Sequence, residues 1–249
     1  MTDVQHNSKK ALVLQHGFLC GSGYWQAIKK ELEPELEVVI PVLPRFSENA
    51  SAKALDSING FANFLLELLD ARGIHSFNLL GHSMGGMIAQ EVAMIAPDRV
   101  HKLVLFGTGP LGNIPGRFET FEQSRNRLHS EGAEQLIENT VATWFVNGRA
   151  DPSYEAVINE AKLASMDAIL GGYTAMEQWT GLDRLQNISS ETLIVWGDKD
   201  KSYNESQVKL LDAGIPYSRL EVMAGCSHNA HLENPSLFLK LVSEFLRHG

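Results

Sequence analysis

The chain has 249 residues, with 30 acidic against 21 basic side chains and a formal net charge of −9 at pH 7. That balance, without a Lys/Arg cluster, argues against a nucleic-acid partner, and a hydrophobic content of 44% is too high for disorder. No apolar run approaches the roughly 18 residues of a membrane span, the N-terminal stretch is polar, and Cys20 and Cys226 form neither a C-x-x-C pair nor a metal-ligand spacing. The expectation is a soluble cytoplasmic monomer or homodimer that handles a small molecule, with no metal, cofactor, membrane or nucleic acid.

In chain order, Ala11–Gln15 is a short apolar run that reads as a buried strand ending at His16-Gly17. Residues 25–33 look helical, and 38–40 form the next strand, closed by Pro41 and Pro44. Ile58, Phe61, Leu65, Leu68 and Leu69 recur at helical spacing, with Gly73 as the stop. Residues 76–80 and 103–106 are the third and fourth strands, on either side of a helix over 84–96 that Pro97 ends. Residues 192–196 and 219–222 are the fifth and sixth. Asn234 caps a last helix with Pro235 at its first position and Leu237, Leu241, Val242 and Phe245 on one face. Strands that alternate with helices and lack in/out polarity imply an α/β fold. Its sheet is mostly parallel, with about six strands and helices on both faces.

One stretch breaks the rhythm. No strand is apparent between 109 and 187, where helices are expected near 133–144, 154–165 and 167–179. The reading is a core of residues 1–108 and 188–249 with a helical cap, 109–187, inserted after the fourth strand.

Gly81-His82-Ser83-Met84-Gly85-Gly86 sits where the third strand turns into a helix. A serine in such a turn is held at a strained backbone angle with its hydroxyl pushed out above the sheet. Gly81 and Gly85 leave room where strand and helix cross. A hydroxyl needs a base, and the base needs an orienting group. His228 follows the last strand, at the same end of the sheet as Ser83. His231 is its rival, and His82 and His16 read as structural. Asp198 and Asp200 both lie past the fifth strand; Asp198 suits a turn brace and Asp200 is better placed to reach His228. The Met84 N–H at the helix head and the Phe18 N–H after the first strand are the natural oxyanion donors, each able to contribute about 10²–10³ in rate.

On these residues the chain resembles the α/β-hydrolase family. The matching blocks are His16-Gly17 followed by Trp25, the Gly81–Gly86 turn, Gly197-x-x-Asp200, and Gly225-x-x-His228-x-x-x-x-Glu233-x-Pro235. The resemblance implies a catalytic triad of Ser83 as nucleophile, Asp200 as acid and His228 as base. It also implies a chain that starts at the family's third strand, and a serine chemistry unlike that of family members with an aspartate at the elbow. The loop Val42-Leu43-Pro44-Arg45-Phe46-Ser47 departs from the family pattern.

The expected function is a serine hydrolase, of carboxylesterase or lactonase type, that cleaves a small ester, thioester or lactone through an acyl-enzyme. The alternatives are a C–C bond hydrolase or lyase of the meta-cleavage or menaquinone-pathway type, and a catalytically silent binding protein of the same fold. Trp144, Phe145, Tyr173, Met176 and Trp179 are candidates for an apolar roof over Ser83. Arg45, Arg117, Arg125 and Arg127 are candidates to hold a substrate carboxylate, since guanidinium pairs bidentately with it.

Overall fold

The computed structural model describes residues 9–47, 53–115 and 119–247. Among them, six strands form one sheet: β1 (Ala11–Gln15), β2 (Glu37–Val39), β3 (Phe77–His82), β4 (Val100–Phe106), β5 (Glu191–Gly197) and β6 (Ser218–Met223). Their order is β2-β1-β3-β4-β5-β6, and every neighbouring pair is parallel. β1 and β3 are buried along their whole length. Helices cover both faces of such a strand, so it reads as an unbroken apolar run.

The sheet order fixes where a ligand fits. From β1 the chain crosses to β2 on one side and then returns to β3 on the other. The connections leaving β1 and β3 therefore diverge, and a crevice opens beyond their carboxyl ends. His16-Gly17-Phe18 and Ser83 lie at its two lips.

Three helices belong to this first half: α1 (Gln26–Leu32), α2 (Ile58–Ala71) and α3 (Met84–Ile95). The Ser57 hydroxyl caps α2 by accepting the Gly60 N–H. Gly73 ends it at φ 71°. There the Ile74 N–H donates to the Leu69 carbonyl and the Gly73 N–H to that of Asp70, each at 2.9 Å, satisfying carbonyls the helix leaves open. α3 is buried on nearly all sides.

Between β4 and β5 lie α4 (Phe121–Glu131), α5 (Ala133–Ala142), α6 (Tyr154–Ala161) and α7 (Met166–Gln178). α4 was not among the expected helices. Its buried residues are Phe121, Ser124 and Leu128 only, too few apolar positions to show a period. A reciprocal cap starts it: Gln123 N–H donates to the Thr120 hydroxyl at 3.1 Å, and Thr120 N–H to the Gln123 side chain at 2.8 Å. Where this helical segment leaves and rejoins the sheet, its ends are clasped. Gly112 N–H donates to the Trp179 carbonyl at 3.2 Å and Gly181 N–H to that of Pro110 at 2.8 Å.

The chain closes with α8 (Glu205–Gly214), α9 (Ala230–Glu233) and α10 (Pro235–Arg247). α10 buries Phe238, Val242, Phe245 and Leu246. Leu237 and Leu241, expected on that face, are only partly buried, because positions 238, 242 and 245 form the row that meets the sheet. No helix among the described residues is long and apolar enough to cross a membrane. No group of three or more His, Cys, Asp or Glu among them is placed to hold a metal ion.

Glu91 of α3 anchors the far end of the helical segment. Its carboxylate, 4% exposed, accepts the Trp179 indole N–H at 2.9 Å and both Arg184 guanidinium nitrogens at 3.1 and 2.8 Å. Burial alone would raise the carboxyl, but the Arg184 and Trp179 hydrogen bonds outweigh it and hold Glu91 below its usual value. Glu91→Ala leaves the buried indole N–H without its acceptor and takes from the Arg184 guanidinium its carboxylate partner. It is expected to lower stability by about 2 kcal/mol. A denaturant midpoint equal to that of the parent protein would reject this anchor.

Candidate active site

Ser83 stands at φ 57°, ψ −121° between β3 and α3. A non-glycine residue with positive φ needs its surroundings to hold it there. The Ser83 N–H donates to the Phe106 carbonyl at 3.0 Å, and the Ser83 carbonyl accepts the Thr108 hydroxyl at 2.8 Å. β-Carbons at Gly81 and Gly85 would collide with the Gly85 and His16 carbonyls respectively. The turn is therefore closed on both sides, as the spacing of the two glycines predicts.

His228 and Asp200 face each other across 2.8 Å, Nδ1 to Oδ2, with side chains 1% and 0% exposed. The other carboxylate oxygen of Asp200 accepts the backbone N–H groups of Ser202 at 2.6 Å and Tyr203 at 3.2 Å. An ionised carboxylate accepts only. The Asp200 contact therefore places the proton of neutral His228 on Nδ1 and leaves Nε2 as the basic nitrogen. His228 and Ser83 line one cavity of about 190 Å³.

Phe18 lines the same cavity. Its loop presses on the elbow, since a β-carbon at Gly17 would lie 3.0 Å from that of Ser83. Met84 is the first residue of α3, where helix N–H groups have no intrahelical acceptor. The two backbone amides proposed from sequence thus belong to segments on either side of Ser83. His16 braces this loop in a single neutral form: Nδ1–H donates to the Gly17 carbonyl at 2.8 Å and Nε2 accepts the Leu43 N–H at 3.0 Å.

The rivals of these residues are occupied elsewhere. Asp198 accepts the Gly225 N–H at 2.6 Å and pairs with Lys199 at 3.1 Å, which makes it the turn brace. His231 is fully buried against Tyr24, Trp25 and Phe238. His82 is buried too, its Nε2–H donating to the His228 carbonyl at 3.1 Å and its ring 4.5 Å from that of His228. Cys20 and Cys226 are buried free thiols, and burial pushes Cys20 well above its ordinary pKa.

Of the proposed substrate contacts, Trp144, Tyr173 and Met176 line the cavity. Phe145, Trp179 and Arg45 are not among its lining residues. Phe145 is fully buried in the core, and Trp179 is turned to Glu91. Arg45 pairs with Asp167 of α7 at 3.3 Å, so it ties loop to helix. Arg125 and Arg127 pair with Glu177 at 2.6 Å and Glu119 at 3.0 Å; Arg117 lies outside the described residues. Sequence reasoning missed Lys201, Ser202, Tyr203 and Asn204, which line the cavity directly after Asp200. Their signal was adjacency to Asp200 on a strand-end loop.

The profile of the alpha/beta hydrolase fold matches residues 10–235. The chain belongs to the α/β-hydrolase family. A 2-hydroxy-6-oxononadienedioate/2-hydroxy-6-oxononatrienedioate hydrolase of Pseudomonas putida is 30% identical to this α/β-hydrolase, over 96% of this chain and 88% of that protein. Among solved structures, an esterase of Exiguobacterium antarcticum has a TM-score of 0.88 at 20% identity, over 96% of this chain and 92% of that one. The enol-lactonase of Burkholderia xenovorans has a TM-score of 0.86 at 20% identity, over 98% and 94%.

Behind His228 the α/β-hydrolase keeps two histidines neutral. Burial pushes His231 down to about 3. Burial also pushes His82 well below its ordinary value, and the neighbouring His228 and His231 add to this. The unfolded chain binds a proton on His231 below about pH 6.5 that the folded one refuses until about pH 3. The contribution of His231 to stability is therefore complete above this window and is lost as pH falls through it, by roughly 1 kcal/mol per pH unit. His231→Phe is expected to flatten the dependence of unfolding free energy on pH between about 6.5 and 4. Urea melts run across this pH range that give the same change of unfolding free energy with pH in both proteins would contradict this.

Proposed function

We propose that the protein is a serine hydrolase that cleaves a small carboxylic ester, thioester or lactone through an acyl-enzyme on Ser83. The observation that carries this reading is one shared cavity. It holds a serine on a left-handed backbone and a histidine whose far nitrogen is bound by a buried carboxylate.

In the proposed reaction His228 Nε2 takes the Ser83 proton as Oγ attacks the carbonyl carbon. Asp200 keeps the imidazole in the form with Nδ1–H and stabilises the imidazolium that develops. The Phe18 and Met84 N–H groups receive the oxyanion as it develops. As the intermediate collapses, the imidazolium returns its proton to the leaving oxygen or sulfur. Water then attacks the acyl carbon as His228 takes its proton, and collapse breaks the bond to Ser83 Oγ, to which His228 returns that proton as the carboxylic acid leaves. The apolar side of the cavity, Ile114, Trp144, Tyr173 and Met176, suits a short acyl chain.

A second reading has its own support. A 2-hydroxy-6-oxo-dienedioate has neither an ester nor an amide, so hydrolysing it breaks a carbon–carbon bond. The P. putida relative named for that reaction matches nearly the whole chain. In this reading Lys201, which lines the cavity, takes the substrate carboxylate role first sought at Arg45.

Short p-nitrophenyl esters, lactones and a vinylogous 1,5-diketone acid offered side by side separate the two readings. The expected result is ester or lactone turnover and fluorophosphonate labelling at Ser83. In Ser83→Ala, labelling is lost and kcat falls by about 10⁴ or more. Unchanged turnover in that variant would reject the nucleophile, and turnover of the diketone alone would transfer the proposal to carbon–carbon cleavage.

A further inference from the structure

The helical segment reaches the loops around Ser83 at a point outside the cavity. Glu160, in the last turn of α6, extends its carboxylate to the stretch that follows β1 and to the loop that follows β2. Oε1 accepts the Gly23 N–H at 3.3 Å and the Ser47 hydroxyl at 2.9 Å. A β-carbon on Gly21 would collide with that oxygen, and one on Gly23 would lie 2.6 Å from Oε2. The carboxylate therefore lies flat against the Gly21–Gly23 backbone.

A negative charge in the last turn of a helix opposes the helix dipole, and no Lys or Arg among the described residues is within ion-pair distance of Glu160. Its compensation comes from the hydrogen bonds it accepts from the core. Those bonds fall on two constrained loops, one after β1 and one after β2. Leu19 stands at φ 59° and Ser47 at φ 46°, conformations that persist only where neighbours hold them. Tyr24, one residue beyond Gly23, donates its hydroxyl to Asn229 at 2.5 Å, and Asn229 adjoins His228. The stretch from Phe18 to Tyr24 is thus gripped by the elbow at one end, Asn229 at the other and Glu160 between them.

We infer that Glu160 is a positioning residue: its carboxylate holds the Phe18–Tyr24 stretch so that the Phe18 N–H faces the oxyanion, and the oxyanion site is complete only while α6 is docked. This rests on the oxyanion role proposed for Phe18. It makes the helical segment part of the catalytic geometry as well as a wall of the cavity.

Three variants test it with a p-nitrophenyl ester, a fluorophosphonate and a boronic acid that forms a tetrahedral adduct on serine. Glu160→Gln keeps an acceptor oxygen at full reach and is expected to stay within about threefold of the parent in kcat, the scale of a preserved hydrogen bond. Glu160→Asp keeps the charge but not the reach, and Glu160→Ala keeps neither. Both are expected to lose about 10- to 100-fold in kcat and a similar factor in boronate affinity, with little change in KM, as for partial loss of one oxyanion donor. If Glu160→Ala does not fold, the Asp and Gln pair decides. A parent protein that labels while Glu160→Asp labels equally fast would overturn this role alone, as would Glu160→Gln falling as far as Glu160→Asp. A parent that neither labels nor turns over would overturn the hydrolase reading and this role with it.

Discussion

A serine cannot rest at φ 57° on its own account. The left-handed region costs a non-glycine residue on the order of 1–3 kcal/mol, and here that cost is met by the most rigid part of the molecule. β3 is buried throughout and pairs with β1 and β4. α3 runs back through the core with Met87, Ile88, Ala89, Val92 and Ala93 out of contact with water. The turn between them has nowhere to relax, because the His16 carbonyl fills the space beside Gly85 and Thr108 ties down the Ser83 carbonyl. Everything proposed for catalysis follows from this placement. It aims Oγ into the crevice, sets the head of α3 behind it, and brings the β1 loop alongside.

The charge distribution around the proposed base serves the same end. Asp200 is satisfied on both oxygens, so its interaction with His228 is fixed in direction. Behind His228 stand His82 and His231, both kept neutral by burial. A positive charge there would raise the cost of forming an imidazolium at His228; two neutral rings do not. His82 also holds the His228 carbonyl, so the ring is located through both its side chain and its backbone. The chemistry of the site is compact because these contacts come from strand ends, whose positions the sheet already sets.

Local chemistry made the sheet and its strand-end residues readable from sequence. Buried parallel strands are short unbroken apolar runs, and the elbow, the Gly197-x-x-Asp200 block and the His228 block each sit directly after one. The stop at Gly73 and the start at Pro235 were equally legible, since each depends on a few adjacent residues. What escaped depends on partners far away in the chain. α4 is polar, and its cap rather than a period defines it. Arg45 looked like a free cation, yet Asp167, 122 positions away, pairs with it. Phe145 and Trp179 have the composition of a pocket wall and are packed elsewhere. Glu160 carries no local signal, and only its distance to Gly23 and Ser47 reveals what it does.

Long-range contacts of the same kind join the helical segment to the core. Glu160 grips the loop that carries Phe18. On the opposite side, Glu233 accepts the Val146 N–H of the helical segment at 2.7 Å and the Ser227 N–H at 2.5 Å, and the Asn229 N–H donates to the Trp144 carbonyl at 3.0 Å. Ser227 and Asn229 flank His228. The helical segment is therefore bonded through backbone groups to the loops of both the proposed base and the proposed oxyanion donor, while its Trp144 and Tyr173 side chains shape the cavity. A substitution that re-shapes this segment for a new acyl group also shifts the bonds that hold Phe18 and His228. In the proposed reaction, selectivity and rate would therefore be linked through the Glu160 and Glu233 carboxylates.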